Sequence, residues 1–345
     1  MESCNIKSSL VNLGNTCYQN SIYQLLGHTP IFREYILEND YVSDLQTFVD
    51  EDPEEFVDTI IYEFHRILKT MWSDTHIIKP TSLKKMIDSK NRFFRGYHQH
   101  DSQEFLNWFL DTMHEEIKTS DITKLPWTNN INNDPKTNII SLKAINQWNM
   151  INSTKSIITN LFTGLYSSSI KCENCGFISY SFDPFMTLTL DINNSDCTLE
   201  NCFDDFIKSE QLDDENKITC QYCCTKNNAT KNMSLYYCPK ILIIHLKRFE
   251  KDVYGNNCNK KENMVYYPLT KLKLKNYMSV HSNQDPEYQL YGVNIHSGDT
   301  DMGHYYSYVK NQCDNRWYNY NDDKITHINK VQTSEAYMLF YYRNN

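Results

Sequence analysis

In LVNLGNTCYQNSIYQLL (10–26) a cysteine, Cys17, follows Thr16 and precedes Ile22, Leu25 and Leu26, which recur at helical spacing. A thiol in the first turn of a helix lies at the positive end of the dipole beside unpaired backbone N–H groups. That setting favours thiolate and lowers the thiol pKa from ~8.5. Cys17 is thus placed as a nucleophile; the competing reading is a small buried apolar side chain. Gly14 permits a tight turn into the helix, and Asn12 carries a neutral amide donor able to face an oxyanion, or else to stabilise a turn. In acyl transfer one such donor contributes ~3 kcal/mol of transition-state stabilisation.

A thiolate nucleophile needs a proton acceptor that later protonates the leaving amine, and imidazole is matched to that task near neutral pH. Among 11 histidines, His304 stands out, because it follows the loop GDTDMG (298–303) and opens the strand-like HYYSYV. His296 is its rival, whereas His65 and His245 sit inside apolar patterns and read as structural. In WYNYND (317–322) a strand ends with Asn321 and Asp322, either of which can orient an imidazole. Successive strand residues face opposite sides, so one of them turns away; Asn321 is preferred, with Asp322 held in reserve and turn chemistry as the plain alternative for both.

Cys172 and Cys175 form one Cys-x-x-Cys pair, and Cys220 and Cys223 another, 44 residues on. Four soft sulfurs in paired knuckles fit a closed tetrahedral zinc site, which is structural because no coordination position stays open. Cys224 directly follows Cys223 and competes with it, although the two-residue spacing favours Cys223.

The elements that must position these groups fall into two halves. Phe56, Ile60, Phe64, Ile67 and Leu68, after Pro53 at a helix start, predict one amphipathic helix. Asp101 with Glu104 three residues on predicts the start of another, with Phe105, Leu106, Phe109, Leu110 and Met113 as its stripe. The Asn-rich stretch 128–153 has weak periodicity and reads as a surface connection at a boundary. Beyond residue 160 the pattern alternates: 185–192, 240–249, 288–295, 304–309, 316–320 and 336–342 read as strands, and the last four, with no helices between them, imply an antiparallel sheet.

Composition bounds the function classes. With 345 residues, 40% hydrophobic and 22% charged, the chain is a folded globular protein. A net charge of −9 lacks the basic footprint of a nucleic-acid binder. The N-terminus has no apolar stretch, and Ile241 to Ile244 is the longest aliphatic run, so a soluble intracellular protein with reduced thiols is expected in spite of its 12 cysteines.

In this order, LVNLGNTCYQNS, HDSQEFL (100–106), CENC and CQYC, ILIIHLKRF, GVNIHSGDTDMGHYYSYV and WYNYND resemble the motifs of the ubiquitin-specific proteases, from residue 10 to residue 322. The resemblance implies an α+β, papain-like cysteine protease fold as a single catalytic domain over 1–345: a helical thumb at about 1–125, zinc-ribbon fingers at 160–240 and an antiparallel-sheet palm at 241–345. By motif position Cys17 is implied as nucleophile, His304 as general base and acid, Asn321 as its orienting residue and Asn12 as oxyanion donor. Asp322 is implied as a second acidic position that supplements or replaces Asn321. The same resemblance implies that Asp101, Gln103 and Glu104 face the arginine-bearing tail of ubiquitin, a role compatible with Asp101 as a helix cap, and that Gly303 and Tyr305 wall a slot for its diglycine. It raises the zinc assignment for Cys172, Cys175, Cys220 and Cys223. A monomeric enzyme acting on ubiquitin and ubiquitinated proteins is expected, with neither nucleic acid nor membrane as partner. Two alternatives stand: a protease for another ubiquitin-like modifier, and a non-catalytic ubiquitin-binding module, which has no physical need for Cys17, His304 and Asn321. Ser9, where Gly is common in the family, and Gln19, where Met is frequent, depart from the pattern.

Overall fold

The computed structural model describes residues 8–46, 58–73, 75–118, 135–151, 154–251, 258–299 and 302–343. Its helices are α1 (Cys17–Gly27), α2 (Pro30–Leu37), α3 (Asp40–Gln46), α4 (Ile60–Ser73), α5 (Thr81–Lys90), α6 (Ser102–Ile117), α7 (Pro135–Ile151), α8 (Ile157–Phe162) and α9 (Leu199–Phe206). The helices up to α6 and α8 bury their stripes in one core, where Tyr23, Phe64, Phe105 and Phe109 meet edge-on, tilted or stacked at ring separations of 5.3–5.9 Å. Every residue of α1 is buried. The helix predicted from Ile60 onward is α4; its expected start at Pro53 and Phe56 lies outside the described residues. The start of α4 is capped from afar, because the Ile60 and Ile61 N–H groups donate to the two carboxylate oxygens of Glu116 in α6, at 2.8 and 2.9 Å.

Among the described residues eleven strands build the two larger sheets: β1 (Gly164–Cys172), β2 (Ile178–Phe185), β3 (Thr187–Asp191), β4 (Glu210–Leu212), β5 (Ala229–Tyr237), β6 (Ile241–Lys247), β7 (Glu287–Gly298), β8 (Gly303–Lys310), β9 (Trp317–Asn321), β10 (Lys324–Ile328) and β11 (Ala336–Arg343). One sheet has the order β2-β1-β5-β4, and the larger one β10-β9-β8-β7-β11-β6-β3, with Leu272–Lys273 as a further short strand on β7. The last four predicted strands are antiparallel, but β3 pairs parallel to β6 at the far edge, in a register of Thr187 with Ile243. A parallel neighbour needs a long crossover, here the whole segment holding α9, β4 and β5.

The Asn-rich stretch departs from expectation. Residues 135–151 are α7, which buries Ile140, Ala144 and Trp148 against Leu165, Phe182, Tyr236 and Tyr237 of the smaller sheet. A spacing of four with one small residue gives a stripe too narrow to stand out among asparagines of poor helix propensity, and packing against the sheet overrides that propensity. Among the described residues nine cysteines are free thiols, whereas Cys313 is disulfide-bonded, against the expectation of reduced thiols. Among the described residues no helix is long and apolar enough to cross a membrane.

Candidate active site

The thiol side chain of Cys17 opens α1, where its N–H has no partner within the helix. The approach is a tight loop centred on Asn12, whose Oδ1 accepts from the N–H groups of Gly14 and Thr16, both at 3.0 Å. Gly14 has φ +111° and lies under the Tyr97 ring; a Cβ on Gly14 would stand 2.9 Å from Tyr97 Cδ1, so only glycine suits the turn. Asn15 fixes the other side by donating to the Tyr97 carbonyl at 2.8 Å. Thr16 precedes the helix but places its hydroxyl under the Leu13 N–H, at 2.9 Å, and so stiffens the loop rather than capping the helix.

His304 comes from the start of β8, and its Nε2 donates to Asn321 Oδ1 at the end of β9, at 2.7 Å. That bond fixes the tautomer and leaves Nδ1 as the nitrogen for Cys17. The imidazole is raised to about 9: the side-chain hydrogen bond with Cys17 contributes most, burial opposes it, and Asn321, the Cys17 charge and Asp322 add to it. Asp322 sits in the left-handed region, φ +49°, with Oδ2 3.9 Å from His304 Nε2. Its oxygens are taken by two amides, Asn12 Nδ2 at 3.0 Å and Asn20 Nδ2 at 2.8 Å. Cys17, His304, Asn321, Asp322 and Asn12, drawn from opposite ends of the chain, therefore converge. The Asn12 amide spends one hydrogen on Asp322 and keeps a second.

The rival His296 is buried on β7, packed by Phe249, Tyr305 and Tyr337 at ring separations of 5.1, 4.6 and 6.2 Å. Burial, with Lys260 and His304 nearby, lowers it to about 4, so it stays neutral as a wall behind the β7–β8 hairpin. Tyr305, opposite His296 in register, is likewise buried, and Gly303 donates its N–H to Gln99 Oε1 at 3.2 Å. Residues 300 and 301 of the preceding loop lie outside the described residues.

Asp101 is the cap of α6: its Oδ1 accepts from Gln103 and Glu104 N–H at 2.6 and 3.1 Å, and its Oδ2 from the Tyr337 hydroxyl. Gln103 is half-buried, and Glu104 is exposed with its carboxyl raised by partial burial and then by Asp101. The helical half is tied to the large sheet by a buried chain in which Ser102 donates to Asn294 Oδ1 at 2.8 Å and Asn294 Nδ2 donates to Ser21 at 2.9 Å. Gln19, the departure at the helix start, is absorbed by donating to the Tyr18 hydroxyl at 2.9 Å.

The remaining cluster lies at the end of the smaller sheet. The sulfurs of Cys172, Cys175, Cys220 and Cys223 all lie within 4.8 Å of one another, with Cys172–Cys223 at 3.9 Å and Cys175–Cys220 at 3.7 Å. Ligand sulfurs at ~2.3 Å from a tetrahedral ion are about 3.8 Å apart, so these four fit one metal ion. The knuckles are alike: Gly176 N–H donates to the Cys172 carbonyl and Cys224 N–H to the Cys220 carbonyl, both at 2.9 Å, with φ +72° at Gly176 and +53° at Cys224. Cys224 is thus the turn residue, exposed, with its sulfur near the Gln221 carbonyl at 3.8 Å and outside the cluster. Sequence reasoning missed Asn20 and Tyr337. The partner of Asn20 is 302 residues away and that of Tyr337 is 236, and neither carries a local signal.

A family model described as ubiquitin carboxyl-terminal hydrolase matches residues 8–341. Ubiquitin carboxyl-terminal hydrolase 2 of Homo sapiens is 35% identical over 342 residues, which cover 97% of this chain and 54% of that protein. Ubiquitin carboxyl-terminal hydrolase Usp2 of Drosophila melanogaster is 33% identical over 342 residues, covering 97% of this chain and 34% of that one. The chain spans about half the length of these curated relatives, or less. Among solved structures, the SAGA Ubp8/Sgf11/Sus1/Sgf73 DUB module bound to ubiquitin aldehyde is similar, with a TM-score of 0.76 and 26% identity over 100% of this chain and 71% of that chain. In fold, in the order of its motifs and in the match along its length, the chain belongs to the ubiquitin carboxyl-terminal hydrolase family.

Proposed function

We propose that this chain is a deubiquitinating cysteine protease that hydrolyses the peptide, isopeptide or thioester bond after the C-terminal glycine of ubiquitin. The observation that carries the proposal is His304, bonded through Nε2 to Asn321 at 2.7 Å with its pKa raised chiefly by the Cys17 side chain. In the reaction the Cys17 sulfur attacks the glycine carbonyl carbon and the carbonyl oxygen becomes an oxyanion, stabilised by the second amide hydrogen of Asn12 and the Cys17 N–H. The C–N bond breaks as imidazolium Nδ1 gives its proton to the departing amine. Neutral His304 then takes a proton from water, whose oxygen attacks the thioester carbon and expels the Cys17 thiolate. Asn321 holds the ring in the tautomer both steps need.

Recognition of the arginine-bearing tail is assigned to Asp101, through the free lone pairs of its capped carboxylate, with Gln103 and Glu104 beside it, and the diglycine to the space along Gly303 and Tyr305. The four clustered cysteines are assigned a structural Zn2+, which crosslinks the two knuckles and takes no part in the chemistry. Cleavage of ubiquitin carrying a C-terminal fluorophore tests the function: wild type releases the dye, Cys17→Ala falls to background, and retained cleavage by Cys17→Ala refutes the proposal.

A further inference from the structure

Asn20 stands one turn into α1 from Cys17, 3% exposed, and its two side-chain polar atoms are used very differently. Nδ2 donates to Asp322 Oδ1 at 2.8 Å and lies 3.4 Å from the Leu10 carbonyl, while Oδ1 is buried with no hydrogen-bond partner. An amide kept in a helix interior for its donor alone calls for an account, and Asp322 supplies it. That carboxylate is 14% exposed and within 3.9 Å of His304 Nε2, close enough to compete with Asn321 for the ring. It does not compete, because Asn20 holds one oxygen and Asn12 the other.

We infer that Asn20 is a positioning residue for His304: by holding Asp322 Oδ1 it keeps that carboxylate off the imidazole, so that the neutral side chain of Asn321 alone orients the ring. The same bond sets Asp322 where it anchors Asn12, so the nucleophile's helix, the loop before it and the strand carrying Asn321 share one reference point. The groups that face the imidazole are Cys17 from α1, Asn321 and Asp322 from the end of β9, His296 from β7 and Tyr306 on β8, whose ring lies 6.1 Å away. Of these, Asp322 is the carboxylate that Asn20 restrains.

The kinetic consequence rests on the protease reading; the placement of Asp322 does not, and the test separates them. In Asn20→Leu, which keeps the branched shape and gives up the amide, Asp322 is held by Asn12 alone and can pivot about that bond to bring an oxygen from 3.9 Å toward hydrogen-bond contact with Nε2. Histidine-labelled protein titrated by NMR, with His304→Gln assigning the signal, then shows the His304 pKa about one unit above wild type. The shift disappears in Asn20→Leu/Asp322→Asn. Asn20→Ala gives the same sign should the leucine variant fail to fold. In ubiquitin–fluorophore cleavage Asn321→Ala lowers kcat roughly tenfold or more in the wild-type background and only a few-fold in Asn20→Leu, because Asp322 takes over. An unchanged His304 titration in a folded Asn20 variant overturns the inference, whether or not the chain cleaves ubiquitin. An equal cost of Asn321→Ala in both backgrounds overturns it as well.

Discussion

Replacing Gly303 by alanine couples stability to catalysis at one atom. A Cβ there would stand 2.0 Å from Nε2 and 2.7 Å from Cε1 of His296, and 3.0 Å from the Asp299 carbonyl oxygen. The His296 ring has nowhere to retreat, since it is 4% exposed and enclosed by Phe249, Tyr305 and Tyr337. The strain is relieved only by expelling the ring or by moving β8 about 1 Å from β7; overpacking of this kind costs typically 1–3 kcal/mol. At ~2.1 cal/mol/K per residue, a cooperative unit of 345 residues has an unfolding entropy of about 0.7 kcal/mol/K, so Tm falls by about 1–4 °C. His304 is the next residue, and a misplacement of 1 Å costs about 100-fold in rate. Thermal melts and kcat/KM on ubiquitin–fluorophore are the assays, with His296→Ala and the double variant completing a cycle. In the His296→Ala background Gly303→Ala should cost little further Tm, and a rate still lowered by it there assigns the loss to obstruction of the diglycine slot. Wild-type Tm and rate in Gly303→Ala refute the reasoning.

Asn12→Ala removes the assigned oxyanion donor and should lower kcat by 10²–10³, about 3 kcal/mol, with a smaller change in KM; a loss confined to KM contradicts the role. Because the folded pKa of His304, about 9, lies above its unfolded value near 6.5, its contribution to stability is full below pH 6.5 and fades as pH rises through 9. Urea unfolding should therefore show the gap between wild type and His304→Gln narrowing over that window. The side chain is 39% exposed, so solvent screening keeps the effect small, and a gap that widens with pH contradicts it. Cys224→Gly relieves a left-handed residue at ~1–2 kcal/mol less the glycine entropy of ~0.5–1, and so stabilises by a few tenths to 1 kcal/mol while zinc content by atomic absorption is unchanged. Cys223→Ser loses the metal; zinc lost from Cys224→Gly would place the ligand at the wrong cysteine.

What was legible in the sequence was local. Cys17 at the first helical position, Asp101 as the cap of α6, and the two Cys-x-x-Cys knuckles each declare themselves within a few residues, because capping and paired ligation are short-range physics. The choice of Cys223 over Cys224 followed from spacing and agrees with a turn in which the fourth position after the first cysteine takes positive φ. Long-range pairing was not legible. Nothing near Ile60 announces that its N–H will be capped by Glu116, nor near Asn20 that its amide will reach Asp322. Helix α7 was missed because a stripe of Ile140, Ala144 and Trp148 is decided by the sheet it meets, and the parallel edge of β3 on β6 because strand direction is a property of the connection rather than of the strand.

The most direct measurement is reaction with ubiquitin whose C-terminal glycine carries a thiol-reactive electrophile, followed by peptide mapping of the adduct, with probes of other ubiquitin-like modifiers run in parallel. The account predicts one covalent adduct with the ubiquitin probe, on Cys17, absent in Cys17→Ala and slowed in His304→Gln. An adduct on any other cysteine, or reaction with a different modifier only, would contradict it.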